Sequence, residues 1–505
     1  MSTDFSPLPS QATDASAKSV LEWLALAHGR TGADDLEELH QQLLALRAAT
    51  LPSGQRIKLL DLLFKHVERV VTTGMLSLQA AGLPISRQLR ETVNSCQQLL
   101  DSLIREYFAT LADVLDPPGA SAHKAAQKML LLLLRCIGWH IRISHLVAAP
   151  NIPGIWQKLH AVYRTARRLG LAETPGPRGE PAIQQTYGHI LLAAIAQPAS
   201  FCATEIDFIA DYIATAVNSV DILETPPLDR AGVFWLDLDQ DYPAHALARR
   251  QPPGDVLALY LACDLVARDA RGRVAALAEG ATAESLGLPA FADTAAGRGV
   301  LRRLSQLWGQ PAKRRRPRRR QSYRVNLCAG LEQLWELTRD PASEAQQTSE
   351  WMVINEGPEG YLLMHMSGLT SNLRIGDVVA IRPTGERSEA ASAWQVGIVR
   401  WALSENPEHI EIGVQQLAAH AIAAEVVRMP VAPDSKLSAL ILPALPPFRE
   451  LQALITSTGQ LGEREGRLLV LTDQGNFGVH ELRPVALTEQ TSSIEVFTVE
   501  PDGKA

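Results

Sequence analysis

A change of hydrophobic rhythm near residue 325 constrains this chain more than any other feature. Up to about Asn218 the apolar residues recur at helical spacing. Val20, Leu24 and Ala27 share one face, as do Leu36, Leu39, Leu43 and Leu46, and again Ile206, Ile209 and Ile213. Stripes of this period need neighbouring helices to cover them. Beyond Arg324 the pattern turns to short segments rich in β-branched and aromatic residues, set off by glycine-bearing turns: Glu350 to Asn355, Tyr361 to Met366, Asp377 to Arg382, Trp394 to Leu403 and Ile410 to Leu417. Strands of this length and spacing predict a closed antiparallel barrel. A second β unit is predicted from Ala439 to Leu442, Leu451 to Thr456, Arg467 to Leu471, Asn476 to Val479 and Ile494 to Val499, with Pro430 to Pro433 as the join.

The fold class that follows is α+β and multidomain, with an all-α N-terminal domain ahead of two β units, and a length of 505 residues suits several cores. The expected segments are a disordered tail over 1–16, a helical domain over 17–225, a small mixed α/β segment over 226–308, an arginine-rich linker over 309–324, the barrel over 325–429 and the C-terminal β unit over 434–500. Asp116-Pro-Pro-Gly, Pro175-Gly-Pro and Pro226-Pro mark breaks between helical groups. Thr204-Glu-Ile-Asp207 has the form of a capping box that opens a helix. In the mixed segment Val233 to Asp239 reads as a strand, and Gly254 to Ala267 as a helix with Val256, Leu259, Tyr260 and Cys263 on one face.

Composition removes several function classes. The hydrophobic share of 46% and charged share of 20% are those of a folded globular chain. Five scattered cysteines show no CxxC spacing, which argues against zinc and against a disulfide framework and fits a reducing cytoplasm. The first residues lack a basic stretch followed by an apolar one, so no secretory signal is expected. Met129 to Val147 is the most apolar run, but Arg135, His140, Arg142 and His145 interrupt it, which predicts a buried helix and no membrane span. Asp237, Asp239 and Asp241 are spaced like the start of a calcium loop, yet Tyr242 stands where the loop needs glycine and Ala248 where it needs glutamate. His140 and His145 have the wrong spacing for two ligands on one helix face, so no metal site is expected. Trp335, Trp351, Trp394 and Trp401 read as barrel core or rim. No nucleophile, phosphate-loop or dinucleotide fingerprint is present, and the chain is read as a non-enzyme without a cofactor.

The segment that carries chemistry is Lys313-Arg-Arg-Arg-Pro-Arg-Arg-Arg-Gln-Ser-Tyr-Arg324, which leads into the first strand of the barrel. Removing its eight positive charges from the net −7 leaves −15 for the rest, a balance that repels extended nucleic acid and suits a small local anion. Guanidinium groups can hold a phosphate with two hydrogen bonds, grip guanine O6 and N7, and stack on a base. Asn355-Glu-Gly-Pro-Glu-Gly360 follows as a turn between a strand ending at Ile354 and one beginning at Tyr361. A short amide offers donor and acceptor to a base edge, and glycine permits close backbone approach.

In this order, these residues resemble the PilZ family of cyclic di-GMP receptors. Arg320 and Arg324 match its RxxxR pair, with Arg319 as the adjacent arginine, and Asn355 and Gly360 match the ends of its second motif. Val396-Gly-Ile-Val-Arg-Trp and Ile412-Gly-Val-Gln resemble its later strands, and the likeness covers about residues 314–417. Gly357 departs from the pattern, because it stands where the family has serine. A neutral hydrogen bond is worth about 0.5–1.5 kcal/mol, so the missing hydroxyl is expected to weaken binding by roughly tenfold or less. The resemblance implies a PilZ-type barrel whose ligand-binding residues are Arg319, Arg320, Arg324, Asn355, Gly357 and Gly360. It further implies a flexible arginine leader that wraps onto cyclic di-GMP, taken as an intercalated dimer, with the result passed to an unknown protein partner through the helical domain. The alternatives are a ligand-free PilZ-like adaptor or scaffold and, less favoured, an arm for nucleic acid.

Overall fold

The computed structural model describes residues 10–26, 33–79, 81–116, 120–217, 220–310, 317–339, 348–368, 370, 373–384, 393–406, 409–428, 436–461, 466–473 and 477–502. The N-terminal unit consists of α1 (Ser10–Leu26), α2 (Ala33–Ala48), α3 (Ser53–Leu76), α4 (Arg87–Leu115), α5 (Ala120–Leu146), α6 (Ile155–Arg168), α7 (Ile183–Ile195) and α8 (Ala203–Ala216). Helix thus begins at Ser10, inside the stretch expected to be a disordered tail to residue 16. The proline and glycine of the Asp116 break lie outside the described residues.

The stripes read from the sequence face inward: Val20, Leu39, Leu43, Leu46 and Ile213 are all buried. Helix α5 is long and apolar enough to cross a membrane by length and composition, and 72% of its apolar window is buried against the rest of the protein. Its arginines are matched by carboxylates on neighbouring helices. Arg135 pairs with Glu68 and lies over the Phe64 ring, and Arg142 donates to Asp207 at 2.6 Å.

Two local expectations are corrected. Helix α8 is capped by Cys202, not by Thr204: the Glu205 side chain accepts from the Cys202 backbone N–H at 3.1 Å and closes the capping box two residues earlier in register. The helix expected over 254–267 is a strand followed by a helix. Strand β4 (Leu259–Ala262) pairs with β2 (Val233–Leu236), placing Leu261 opposite Phe234 and Tyr260 opposite Trp235, and α9 (Asp264–Ala278) starts only afterwards. Positions 256, 259, 260 and 263 keep helical spacing, but Leu257 to Cys263 is a continuous apolar run that suits a buried strand equally, and pairing with β2 decides between them. With β1 (Asp221–Leu223) and β3 (His245–Ala246) these strands form a sheet of order β1-β4-β2-β3, and α10 (Ala295–Gly309) closes the unit. The aspartate run is structural. Asp241 accepts from the backbone N–H of Trp156 at 3.0 Å and of Gln157 at 3.3 Å at the start of α6, and Asp239 pairs with Arg164.

The first barrel contains β5 (Arg319–Ala329), α11 (Leu331–Arg339), β6 (Thr348–Gly357), β7 (Gly360–Ser367), β8 (Val378–Pro383), β9 (Gln395–Asn406) and β10 (His409–Ala418), closed in the order β10-β7-β6-β5-β8-β9. The C-terminal β unit is also a closed barrel: β11 (Ile422–Arg428), β12 (Lys436–Leu442), β13 (Gln452–Ser457), β14 (Leu468–Asp473), β15 (Phe477–Gln490) and β16 (Ile494–Pro501), in the order β11-β12-β13-β16-β15-β14. Strand β11 therefore belongs to the second barrel although the sequence reading assigned it to the first, and Pro430 to Pro433 lie outside the described residues.

The barrels pack side by side. Val379 and Ile381 of β8 point into the first barrel, while Val378 and Ala380 join Val396 and Ile398 against Leu440, Leu442, Ile455 and Val496 of the second. Helix α11 wedges Leu331, Leu334 and Leu337 into the same seam, and its Trp335 Nε1 donates to the Ala424 carbonyl at 2.9 Å.

One turn of the second barrel, Thr491 to Ser493, ties all three units together. Glu205 of α8 accepts from the Ser492 N–H at 3.2 Å and from its hydroxyl at 2.9 Å, and pairs with Arg303 of α10 at 3.6 Å. On the other side Thr491 Oγ1 donates to the Gly376 carbonyl at 2.9 Å, and Ser493 Oγ donates to Asp377 Oδ1 at 2.5 Å. Beside this turn a cavity of about 380 Å³ is lined by residues of all three units, among them Phe201, Arg374 and Thr458.

Two outcomes are expected. Breaking a buried ion pair costs about 3–5 kcal/mol, so Glu205→Ala should destabilise the chain strongly in calorimetry, and Ser492→Ala by only about 1 kcal/mol. Burial pushes the Asp377 carboxyl up to about 6 despite the hydrogen bonds from Ser493 and the Arg374 N–H. A carboxyl raised in the folded state stabilises fully below its ordinary range, and the contribution is lost as pH rises through about 6. Hydrogen exchange at Ser492 to Ile494, corrected for intrinsic rate, should therefore show weaker protection at pH 7.5 than at pH 5, and Asp377→Asn should flatten that dependence.

Candidate functional site

The candidate site lies along β5, β6 and the start of β7. Strand β5 begins at Arg319, so Arg319, Arg320 and Arg324 sit on a barrel strand and not in the flexible leader that the resemblance implied. Arg319 pairs across with Glu356 and Arg320 with Asn355. A bulge then intervenes before Tyr323 meets Val353 and Arg324 meets Met352. Bulges add residues to one strand and sharpen its twist, which here re-aims the arginines relative to the buried Val325 and Leu327 that follow. Lys313 to Arg316 lie outside the described residues.

Arg319, Arg320 and Arg324 are exposed on the outer face of the barrel. Arg319 and Arg320 make no side-chain hydrogen bond or ion pair among the described residues. Arg324 donates to Glu350 Oε1 at 3.0 Å, and the other Glu350 oxygen accepts from Ser367 at 3.3 Å. Asn355 Oδ1 accepts from Arg318 Nη1 at 3.4 Å, and the Tyr323 hydroxyl donates to Glu356 at 3.0 Å. Arg318 and Glu350 are thus part of the site although the sequence reading named neither. Arg318 was legible only as one more charge in the run, and Glu350 needed the strand register to place it beside Arg324.

The second motif is not the open turn expected between Ile354 and Tyr361. Strand β6 continues to Gly357 and β7 starts at Gly360, leaving Pro358 and Glu359 as a tight two-residue connection. After a register shift between Val353 and Asn355 the β6–β7 ladder continues to the Gly357–Gly360 pair, so the asparagine is held on a strand. The two glycines differ. Gly360 has φ +144°, and a Cβ there would lie 1.9 Å from the Val414 carbonyl oxygen of β10. Gly357 has ordinary backbone, and a Cβ would meet the Arg318 Cγ at 3.3 Å and the Pro317 carbonyl at 3.4 Å. The Ile412-Gly-Val-Gln segment lies in β10, where a Cβ on Gly413 would stand 1.9 Å from Trp401 Nε1. Trp351 is fully buried in the barrel core, with Nε1 donating to Ser349 Oγ at 2.9 Å.

Among the described residues no cluster of three or more His, Cys, Asp or Glu could hold a metal ion. The site offers planar cations, one amide and a glycine-lined hairpin on a rigid wall, a donor set that suits a phosphate-bearing base.

A six-stranded antiparallel barrel with arginines on its opening strand and an Asn-x-Gly-x-x-Gly hairpin after its second describes a PilZ domain. The family model for the middle PilZ domain of the cyclic-di-GMP receptor FimW matches residues 336–422, which include Asn355, Gly357 and Gly360 but begin after β5. The first barrel of this chain is a PilZ domain. Residues 18–227 match the model for the N-terminal domain of the same receptor, which covers α2 to α8. The chain is similar to the cyclic-di-GMP receptor FimW of Pseudomonas aeruginosa, 22% identical over 552 aligned positions that span 89% of this chain and 86% of that protein. No solved structure matches it.

Strain in a left-handed position and overpacking each cost about 1–3 kcal/mol. Gly360→Ala should therefore lower barrel stability by roughly the sum of these in a urea titration, whereas Gly357→Ala should leave it nearly unchanged.

Proposed function

We propose that this chain is a cytoplasmic, non-enzymatic receptor for cyclic di-GMP. The observation that carries the reading is the cross-strand pairing of Arg320 with Asn355, with Arg319 and Arg324 exposed on the same strand and a glycine hairpin beside the amide. A cyclic dinucleotide presents two phosphates and two guanine edges. Arg319, Arg320 and Arg324 supply the forked cations for phosphate oxygens and guanine O6 and N7, and Asn355 reads the donor edge of one guanine. Gly360 lets β10 close against the hairpin, so the base meets a fixed surface. The name of the Pseudomonas relative and the matched PilZ model support the same ligand.

The output is a protein contact made through the helical unit. Arg318, against the hairpin, is joined by a short segment to Gln310 at the end of α10. Helix α10 carries Arg302, which donates to Gln490 at 2.9 Å, and Arg303, which pairs with Glu205. A ligand that binds one arrangement of these units more tightly than another biases how they sit together.

Isothermal titration of the full chain with cyclic di-GMP tests the reading. A lost charge-assisted hydrogen bond costs about 1.5–3 kcal/mol, so Arg320→Ala should weaken binding by about ten- to hundredfold. Asn355→Ala, a neutral loss of about 0.5–1.5 kcal/mol, should cost roughly three- to tenfold. Binding should also weaken as salt rises. Absence of binding in the wild type, with binding appearing in Gly357→Ser, would favour the ligand-free adaptor instead.

A further inference from the structure

The candidate site is already occupied, by the protein's own side chains. Arg324 faces the carboxylate of Glu350 at 3.0 Å, and that carboxylate is oriented by Ser367 at 3.3 Å on the adjoining strand β7. The Asn355 carbonyl oxygen, the group that would accept from a guanine N1–H or N2–H, accepts from Arg318 at 3.4 Å. A carboxylate thus stands where a phosphate oxygen would sit, and a guanidinium N–H stands where a guanine donor edge would sit. Both replacements have the chemistry of the ligand group they exclude, and both come from residues outside the paired-arginine and glycine-hairpin motifs.

We propose that Glu350 sets the affinity of the site by competing with the ligand's phosphate for Arg324, with Arg318 competing in the same way for Asn355. This rests on the cyclic di-GMP reading above and adds to it a threshold built into the barrel. The register explains why Glu350 can do this. It pairs with Asn326 across β5, two residues beyond Arg324 and on the same outer face, so its carboxylate reaches the guanidinium diagonally. Arg324 and Glu350 keep 58% and 32% of their side-chain surface, so water screens the pair and a doubly hydrogen-bonded phosphate can displace the carboxylate. The contact therefore lowers affinity without closing the site. Tyr323 and Glu356 form a neighbouring pair at 3.0 Å that holds the β5 bulge against β6 while the exchange occurs.

The test is a double-mutant cycle by isothermal titration of the full chain with cyclic di-GMP, using wild type, Glu350→Gln, Arg324→Ala and the double variant. Exposed ion pairs are worth little, so Glu350→Gln should tighten binding by about two- to fivefold, and that gain should shrink or vanish when Arg324 is already alanine. The glutamine keeps the size and the Ser367 acceptor of Glu350, so an unchanged melting temperature separates this effect from misfolding. Binding that is unchanged or weakened in Glu350→Gln, or tightened equally with and without Arg324, overturns the inference and leaves the ligand reading standing. If neither the wild type nor Glu350→Gln binds, both fail together. A silent wild type beside a Glu350→Gln variant that binds supports the inference in its strongest form.

Discussion

The arrangement of this protein depends on a buried carboxylate at the place where the helical unit meets the second barrel, beside an apolar core that the helical unit shares with the first barrel. Glu205 is almost wholly buried, so its charge needs partners on every side. It takes them from its own helix end at Cys202, from Arg303 of α10 and from Ser492 of the second barrel. Arg303 is itself packed over the Phe201 ring at 3.8 Å, and burial lowers its affinity for a proton. Each of these groups is costly alone, and each is tolerated because the others are in place. Apolar packing holds the two barrels together along the α11 seam, but it carries no direction, whereas the turn from Thr491 to Ser493 fixes their orientation through hydrogen bonds.

That junction and the arginine strand are connected by a short length of chain. Helix α10 ends at Gly309, with Arg302 and Arg303 in the junction, and β5 begins at Arg319, with Arg318 against Asn355. The net charge of the arginine run brings an anion near, but it is the pairing of Arg320 with Asn355 that gives the site a shape. The bulge between Arg320 and Tyr323 adds to this, since a regular strand would continue the inward and outward alternation that buries Val325 and Leu327.

Much of the architecture was legible because period follows burial. The five strands read for the first barrel and four of those read for the second overlap observed ones along their length, while Asn476 to Val479 reaches only the start of β15 (Phe477–Gln490), Asn476 lying outside the described residues; the helical stripes face the core except Ala27, which also lies outside them. What escaped has physical causes. Strand β11 pairs only with β12 and β14 of the second barrel, so nothing local marks Ile422 to Arg428 as the start of a new sheet, and helix α11 is buried between strands of both barrels. Strand β8 is apolar on both faces because each faces a different barrel, which hides the alternation a single barrel would show. At Leu259 to Ala262 the apolar spacing satisfied both helix and strand, and pairing with β2 settled it. The cap at Cys202 was missed because sulfur is a weak cap and Thr204 a strong one, and the carboxylate that closes the box is Glu205, not the Asp207 that the Thr204 register requires. In the site, the motif residues were legible and their partners were not, because Glu350 meets Arg324 only through strand register.

Gly357 illustrates how a departure from a motif can be read from its neighbours. As sequence it is a missing hydroxyl. In the fold, the space above it is taken by Pro317 and Arg318, at distances where a Cβ would already be tight against the arginine side chain. Its backbone does not require glycine, unlike that of Gly360, so the small residue serves the approach of the leader to the hairpin. A serine would restore one acceptor and donor for a base and, in the same step, press Arg318 away from Asn355. Glycine at this position leaves the Arg318 side chain room to reach Asn355 without that crowding.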